Sequence, residues 1–424
     1  MKRVSIAAVA FVGFWLVCLW TFRSSNVGLF PVPPMSHRQN HNNVNSHNIK
    51  GFSEMSAEVQ ESRSAFKLGN SVTKRTEKGH VILITNGTVL HTAFKDGIQD
   101  CPQLPPNVKC NLSYASHEVW NQSDAIVFRA FHVDQASDLW DYHREGQKWI
   151  FEEHESPMKT WNPVRRENFD ALWDQFNITI LYTKDASIQF YMYSIKCKLR
   201  PEDENVKLAN EDYLRGKERS VLWMVGNCNW TMGRELYVDE LMKYIDVDIF
   251  GACGDHVVCG NYEDGQTNCI EHLMNKYKYF LSFENSFCEG YYTEKAIKAH
   301  RAMTIPVVMG LVNYTELLTP GTFIDVRDYK SPKLLAEYLK MVGSDPKLYN
   351  GYINRKRRTE CSSSSKDDYL CQLCQYLYEH EGQTEILPNM REYWGREKRC
   401  MSPDKFFKGV ADDIIPRFTK KRLF

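Results

Sequence analysis

The sequence has no net charge: 53 Lys and Arg offset 53 Asp and Glu. A neutral chain carries no global basic field, which excludes the electrostatic footprint of a nucleic-acid binder. It contains neither G-x-G-x-x-G nor G-x-x-x-x-G-K-[ST], so no glycine-rich loop of those kinds cradles phosphates. It has no internal repeat at solenoid periods. Thirteen cysteines in 424 residues, about 3%, are too few for a disulfide-knotted scaffold. With 43% hydrophobic and 25% charged residues, it is neither disordered nor collagen-like. What remains is a globular chain long enough for two or three domains at roughly 100–200 residues each.

One long apolar run is present. Lys2 and Arg3 precede VSIAAVAFVGFWLVCLWTF at 4–22, and nineteen residues at 1.5 Å rise cover about 28 Å, close to a bilayer's hydrocarbon thickness. Trp15, Trp20 and Phe22 occupy its far end, and no small-residue cleavage site follows, so the run reads as a retained anchor rather than a cleaved signal peptide. The basic pair keeps its end cytoplasmic. This predicts a cytoplasmic tail at 1–3, a transmembrane signal-anchor at 4–22 and a lumenal remainder. Six N-x-[ST] sequons, at Asn86, Asn111, Asn121, Asn177, Asn229 and Asn313, lie beyond the run. Cys18 is inside it, which leaves an even twelve cysteines beyond, expected mostly as disulfides in an oxidising lumen. Residues 23–78 are rich in Asn, Ser, His and Gln and read as a flexible stem. His37, His41 and His47 within it read as solvated linker rather than a metal site.

From 79 onward the texture alternates. HVILIT (80–85), AIVFRAF (125–131), KWIFEE (148–153) and NITILYT (177–183) read as buried strands. After the charged segment 201–220 the pattern restarts: strands at 220–227, 247–253, 279–285, 305–310 and 323–329, and helices at 234–245, 294–301 and 331–343. Ser331-Pro332 supplies a cap and first helical residue for the last of these. Alternating strands and helices predict parallel, doubly wound sheets. The expected organisation is a first Rossmann-like domain at 79–215, a second at 216–360 and a Cys-containing segment at 361–424. A cleft lies between the two domains, and ligands sit at the carboxyl ends of their strands.

Three clusters carry chemistry. In FENSFCEGYYTEKAIKAH (283–300) a strand ends at Glu284-Asn285 and a loop delivers Tyr291, Thr293, Glu294 and Lys295 to a helix start. Glu294 is an ordinary helix starter. Lys295 opposes the helix dipole and calls for a compensating anion. In GNCNWTMGR (226–234) a loop after a strand brings Arg234 to the next helix start, where a guanidinium can fork phosphate oxygens. With no glycine-rich loop, Arg234 and Lys295 would hold a diphosphate through side chains. In FEEHESPMKTW (151–161), Glu155-Ser156-Pro157 places a carboxylate on a rigid turn facing the cleft. Glu152, Glu153, His154 and Glu155 do not form a metal cluster, because consecutive strand residues point to opposite faces. Asp246-Val247-Asp248 matches the cation-binding D-x-D pattern but opens an apolar strand, which favours a structural role. Cys371 and Cys374 of C-x-x-C could form a redox dithiol; structural pairing is the reading preferred.

YKYFLSFENSFCEGYYTEKAIKAHRAMTIPVVMG (277–310) resembles the donor-binding signature of the α1,3/α1,4-fucosyltransferases, in which Y-K-F-x-L-x-F-E-N leads to Y-x-T-E-K and P-V-V-x-G. Residues 227–253 and 323–339, the E-S-P turn, the late C-x-x-C and the anchor, stem and head layout are similar too. The similarity runs over most of 80–380. It implies a GT-B-type α/β fold of two Rossmann-like domains. It also implies inverting transfer of L-fucose from GDP-fucose in α1,3 linkage to GlcNAc of glycoprotein or glycolipid glycans, by a single-pass type II protein of the Golgi cisterna membrane. On this resemblance Glu155 matches the general base and Arg234 and Lys295 match the diphosphate-holding residues. Asn285, Tyr291 and Glu294 match other donor-site positions. No metal-ligating set and no resident cofactor are implied; a divalent cation, Mn or Mg, would act only in assisting GDP release.

His154 stands where Phe or Leu is usual, and Gly290 and Tyr292 depart from the family pattern before T-E-K. The segment LYTKDASI (181–188) keeps Asp185 but lacks the Arg and second Asp of Y-R-x-D-S-D. Antennal, LacdiNAc-type and core GlcNAc acceptors all stay open. Two rivals stand beside the enzyme reading: a non-catalytic lumenal glycan- or nucleotide-binding relative, and a C-x-x-C oxidoreductase.

Overall fold

The computed structural model describes residues 79–84, 97–114, 122–131, 145–161, 173–200, 211–228, 232–254, 266–363, 366–383 and 385–417. The chain divides into two units, Met1–Lys74 and Arg75–Phe424, and every described residue lies in the second. The anchor read at 4–22, the stem and its histidines lie outside the described residues. Among the described residues no helix is long and apolar enough to cross a membrane.

Short β-branched and aromatic runs form the first sheet. Its strands are β1 (Gly79–Ile84), β2 (Gly97–Gln99), β3 (Lys109–Tyr114), β4 (Ala125–Arg129), β5 (Lys148–Glu153), β6 (Ile178–Leu181) and β7 (Ile188–Gln189), in the order β2-β3-β1-β4-β5-β6-β7. All neighbours are parallel except β2 and β3. Strands β4 to β6 are buried on both faces, as central parallel strands must be. Alternate residues sort into two layers. Val127, Ile150 and Ile180 pack against Leu370, Leu373 and Leu377 of the helix Lys366–Glu379, while Phe128, Phe151 and Leu181 pack against Trp173, Phe176 and Trp394.

After β8 (Lys196–Leu199) the chain builds a second sheet from β9 (Arg219–Met224), β10 (Val247–Phe250), β11 (Tyr277–Phe283), β12 (Ile305–Met309) and β13 (Ile324–Asp325), in the order β10-β9-β11-β12-β13 and parallel throughout. Helices cover both faces. Val221, Leu281 and Val307 meet Leu236 and Leu241 of the helix Arg234–Leu241 and Leu335 and Leu339 of Pro332–Ser344. Leu222 and Phe280 meet Met274 and Ala299 of Gln266–Asn275 and Glu294–Arg301. β14 (Thr359–Ser362) pairs antiparallel with β8.

Residues beyond 361 pack onto both sheets. The helix Lys366–Glu379 covers the first, and Phe406 of Pro403–Phe407 stacks on Phe287, in the second sheet's core, with ring centroids 3.7 Å apart. Disulfides join Cys101 to Cys371, Cys110 to Cys374, Cys197 to Cys361, Cys228 to Cys253 and Cys288 to Cys400. Cys371 and Cys374 therefore take separate partners, 270 and 264 residues away. They staple the helix to the first sheet and do not form a redox dithiol.

Each sheet has a topological switch point. The chain leaves β1 for β3 on one side and returns to β4 on the other; it leaves β9 for β10 and returns to β11. Crevices at the carboxyl ends of such strands are where open α/β sheets bind ligands.

Candidate active site

At the second switch point the loop after β9 meets the loop after β11. Gly233, at φ 76°, turns the chain through a left-handed conformation that glycine adopts without strain, and Arg234 begins the helix. Arg234 is 3% exposed. Its Nη2 donates to the Asn227 carbonyl at 2.8 Å, its Nη1 to the Phe283 carbonyl at 3.1 Å and its Nε to Glu235 Oε1 at 3.0 Å. The guanidinium thus ties the ends of β9 and β11 together. Three of its five N–H groups are occupied, and one on each Nη remains for a ligand. Beside it, a small cavity of about 30 Å³ is lined by Asn227, Arg234, Asn285, Ser286 and, from the first sheet's side, Met158 and Lys159.

Lys295 sits in the first turn of Glu294–Arg301. Its Nζ donates to Thr293 Oγ1 at 2.6 Å and to Glu284 Oε2 at 3.2 Å. The fully buried Glu284 carboxylate also accepts the Thr293 backbone N–H at 2.9 Å. Glu284 supplies the anion that a lysine at a helix start requires, and it fixes where the ammonium points. Burial pushes the Glu294 carboxyl up, but Lys295, Lys298 and its own backbone N–H outweigh this and hold it below the ordinary value. It is ionised at neutral pH.

In the first sheet, β5 ends at Glu153, and Glu155 follows on the turn before the short helix Pro157–Thr160. Glu153 is fully buried, and its Oε1 accepts the backbone N–H groups of His154 and Glu155, both at 2.9 Å. It shapes the turn that presents Glu155. Burial pushes the Glu153 carboxyl up, against the opposing charge of Arg129. His154 Nε2 lies 2.7 Å from Glu152 Oε1. Glu152 and His154 thus share one side, as the period of a strand dictates.

Two hydrogen bonds join the halves at the site. Ser156 Oγ donates to Ser286 Oγ at 2.7 Å, and Ser286 donates on to Asn285 Oδ1 at 2.9 Å. Tyr291 Oη donates to Glu155 Oε2 at 2.9 Å. Burial, the negative charge of Glu155 and that of Glu284 push the Tyr291 phenol well above its ordinary range, so it keeps its proton. The loop carrying Tyr291 crosses from the second sheet, and its ring lies in the first sheet's core with Tyr182 and Trp394.

Of the six residues read from sequence, Arg234 and Asn285 share one cavity, and Glu155 is linked to them through Ser156 and Ser286. Tyr291 was expected only at the donor; it touches Glu155 directly. Glu294 and Lys295 stand together at the adjoining helix start. Sequence reasoning gave no role to Glu284, Glu153, Ser286 and Lys159, which stand beside these six. The signal for Lys159 was available, because it follows Pro157 by two residues on the same turn. Asp248 of the D-x-D pattern accepts from Arg219 at 2.8 Å and from the Tyr277 hydroxyl at 2.7 Å, a structural role. Asp185 is gripped by both Nη groups of Arg399, at 3.0 and 2.5 Å. Among the described residues the grouping of metal-ligand side chains is Cys197, His300 and Cys361, and its two cysteines are bonded to each other.

The Tyr291–Glu155 bond gives a prediction. Tyr291→Phe removes the only donor that the described residues place on the Glu155 carboxylate's side-chain oxygens. A hydrogen bond to a charged group is worth about 1.5–3 kcal/mol, and each 1.36 kcal/mol is tenfold in rate. The variant should lose roughly 10- to 100-fold in turnover with little change in GDP affinity. Equal losses in both quantities would instead mean that the hydroxyl supports the donor site rather than the base.

Known families match over most of this region. The one described as "Glycosyltransferase family 10 (fucosyltransferase) C-term" matches residues 214–394, and "Fucosyltransferase, N-terminal" matches 77–193. Glycoprotein 3-alpha-L-fucosyltransferase A of Drosophila melanogaster is 36% identical over 216 residues, covering 49% of this chain and only 40% of that relative's length. 4-Galactosyl-N-acetylglucosaminide 3-alpha-L-fucosyltransferase 9 of Bos taurus is 31% identical over 293 residues, covering 67% of this chain and 75% of its own. A crystal structure of an alpha1,3-fucosyltransferase is 17% identical, covers 75% of this chain and 94% of its own, and has a TM-score of 0.46. On the two matching halves and these relatives, the chain belongs to glycosyltransferase family 10, in the α1,3-fucosyltransferase family of enzymes.

Proposed function

We propose that the chain transfers L-fucose from GDP-fucose to the 3-hydroxyl of a GlcNAc residue, with inversion, in a GT-B-type cleft between its two Rossmann-like halves. The acceptor oxygen attacks the anomeric carbon of fucose. The bond from that carbon to the diphosphate oxygen breaks, its electron pair leaves with GDP, and the acceptor's proton passes to Glu155. Arg234 and Lys295 stabilise the charge that develops on the departing diphosphate. The Asn285 amide and the Glu294 carboxylate accept hydrogen bonds from the hydroxyls of the donor, and Tyr291 steadies the base.

The observation that carries this reading is the pair of hydrogen bonds joining a carboxylate turn to a cationic switch point, Tyr291 to Glu155 and Ser156 to Ser286. An inverting displacement needs a proton acceptor on one side and positive charge on the other, and this junction brings the two sets together. The five disulfides among the described residues suit an oxidising lumen. They support a Golgi location with 4–22 as the anchor.

The test is incubation with GDP-fucose and a panel of GlcNAc-terminated, LacdiNAc-type and chitobiose-core acceptors, scoring released GDP and the linkage of the product. Acceptor-dependent GDP release with an α1,3 product is expected. Binding of GDP without release on any acceptor would favour the non-catalytic relative, and a product of another linkage would refute the α1,3 assignment. The same assay with Mn or Mg added measures any effect of the cation on GDP release.

A further inference from the structure

We propose that Lys159, from the half that carries the base, is a third cation on the donor diphosphate. The donor is therefore held from both sides of the junction. The inference rests on the donor reading above and adds a residue to it.

The position of Lys159 is set by its own short helix. Its backbone N–H donates to the Ser156 carbonyl at 2.8 Å, and the Thr160 N–H bonds the same carbonyl at 2.9 Å. Ser156 is in turn bonded to Ser286 across the junction. The side chain is half-buried and lines the small cavity that Arg234, Asn227, Asn285 and Ser286 also line. Among the described residues its ammonium has no hydrogen-bond or ion-pair partner. That contrasts with Lys295, whose ammonium is anchored on Glu284 and Thr293.

Charge makes the arrangement informative. Two cations line one cavity of about 30 Å³, a space that takes one or two waters or the projecting oxygens of a phosphoryl group. Like charges brought together in partly desolvated surroundings disfavour each other unless an anion lies between them. Burial pushes the Lys159 ammonium below its ordinary range; Arg234 adds to that, and Glu155 and Glu235 oppose it. Glu235 is already engaged by Arg234 Nε, and Glu155 by Tyr291. A dianionic diphosphate meets both unmet needs: the two N–H groups left on Arg234 and the three on Lys159. It would also draw the Glu155 turn against the donor, since Lys159 and Glu155 ride on the same short stretch of chain.

The test compares GDP with guanosine as probes of the full-length protein. Lys159→Met should weaken GDP binding by about 10- to 100-fold and leave guanosine affinity within about twofold. Lys159→Arg, which keeps the cation, should restore most of the GDP affinity. Equal weakening of GDP and guanosine would overturn the proposal, because a disturbed fold would lower both. Unchanged GDP binding in Lys159→Met would also overturn it. Lys295→Met is the control that separates the two claims. If it weakens GDP while Lys159→Met does not, only the Lys159 inference fails; if neither variant does, the donor-site reading itself fails.

Discussion

Replacing Glu155 by Gln should reduce fucose transfer by about 10²–10⁴-fold, the range that a positioned general base contributes. The substitution is close to isosteric. The amide oxygen of the variant can still accept from Tyr291 Oη, which bonds Glu155 Oε2 at 2.9 Å. Glu153 would still accept the backbone N–H groups of residues 154 and 155, and the Ser156–Ser286 bond does not involve the altered side chain. The turn therefore keeps its shape while losing its proton acceptor. GDP affinity should stay within about twofold of the parent, because Arg234, Asn285 and Lys295 belong to the other sheet and the turn that carries Lys159 keeps its backbone bonds. Titration with GDP and acceptor-dependent GDP release, measured on the same preparation, decide the matter. Turnover near that of the parent would remove Glu155 from the chemistry. Loss of both turnover and GDP binding would show that the turn had been disturbed.

How much of this could be read beforehand depended on whether a feature is local. Runs such as AIVFR and ITIL declare themselves as buried parallel strands, because both faces of the sheet are covered and nearly every residue is apolar or β-branched. The helix Glu294–Arg301 was expected over just those residues. The strands β8 and β14, KCKL and TECS, are half polar and largely exposed, and what pairs them is a partner more than 150 residues away, invisible to periodicity. The helix Lys366–Glu379 was noticed for its cysteines, yet its destination on the first sheet is fixed by Cys101 and Cys110, and cysteine pairing cannot be deduced from spacing. At the site, residue types that carry their chemistry in the side chain, such as Arg234 and Lys295, were legible. The partners that orient them were not. Arg234 is held by two backbone carbonyls, which every residue possesses, and Tyr291 reaches the base only because its loop crosses to the other sheet.

Arg234 should be the position where binding and stability fail together, and the two failures can be separated. Arg234→Met keeps an unbranched stem but leaves the Asn227 and Phe283 carbonyls without their donor and the Glu235 carboxylate, 4% exposed, without its counter-ion. Removing one partner of a buried ion pair destabilises by about 3–5 kcal/mol, more than most substitutions in this sheet would. GDP binding should fall at the same time, since the diphosphate loses a fork of two N–H groups. Arg234→Lys should recover little of either, because one ammonium cannot span carbonyls at the ends of two strands while presenting a planar fork to phosphate. The decisive variant is Arg234→Met combined with Glu235→Gln. Neutralising Glu235 removes the uncompensated buried charge, so thermal unfolding should shift part of the way back toward the parent. The donor's phosphates gain nothing from that change, and GDP affinity should remain at the level of Arg234→Met. If affinity returned along with stability, Arg234 would be a brace between β9 and β11 and nothing more, and the positive charge stabilising the leaving group would have to come from Lys295 and Lys159 alone.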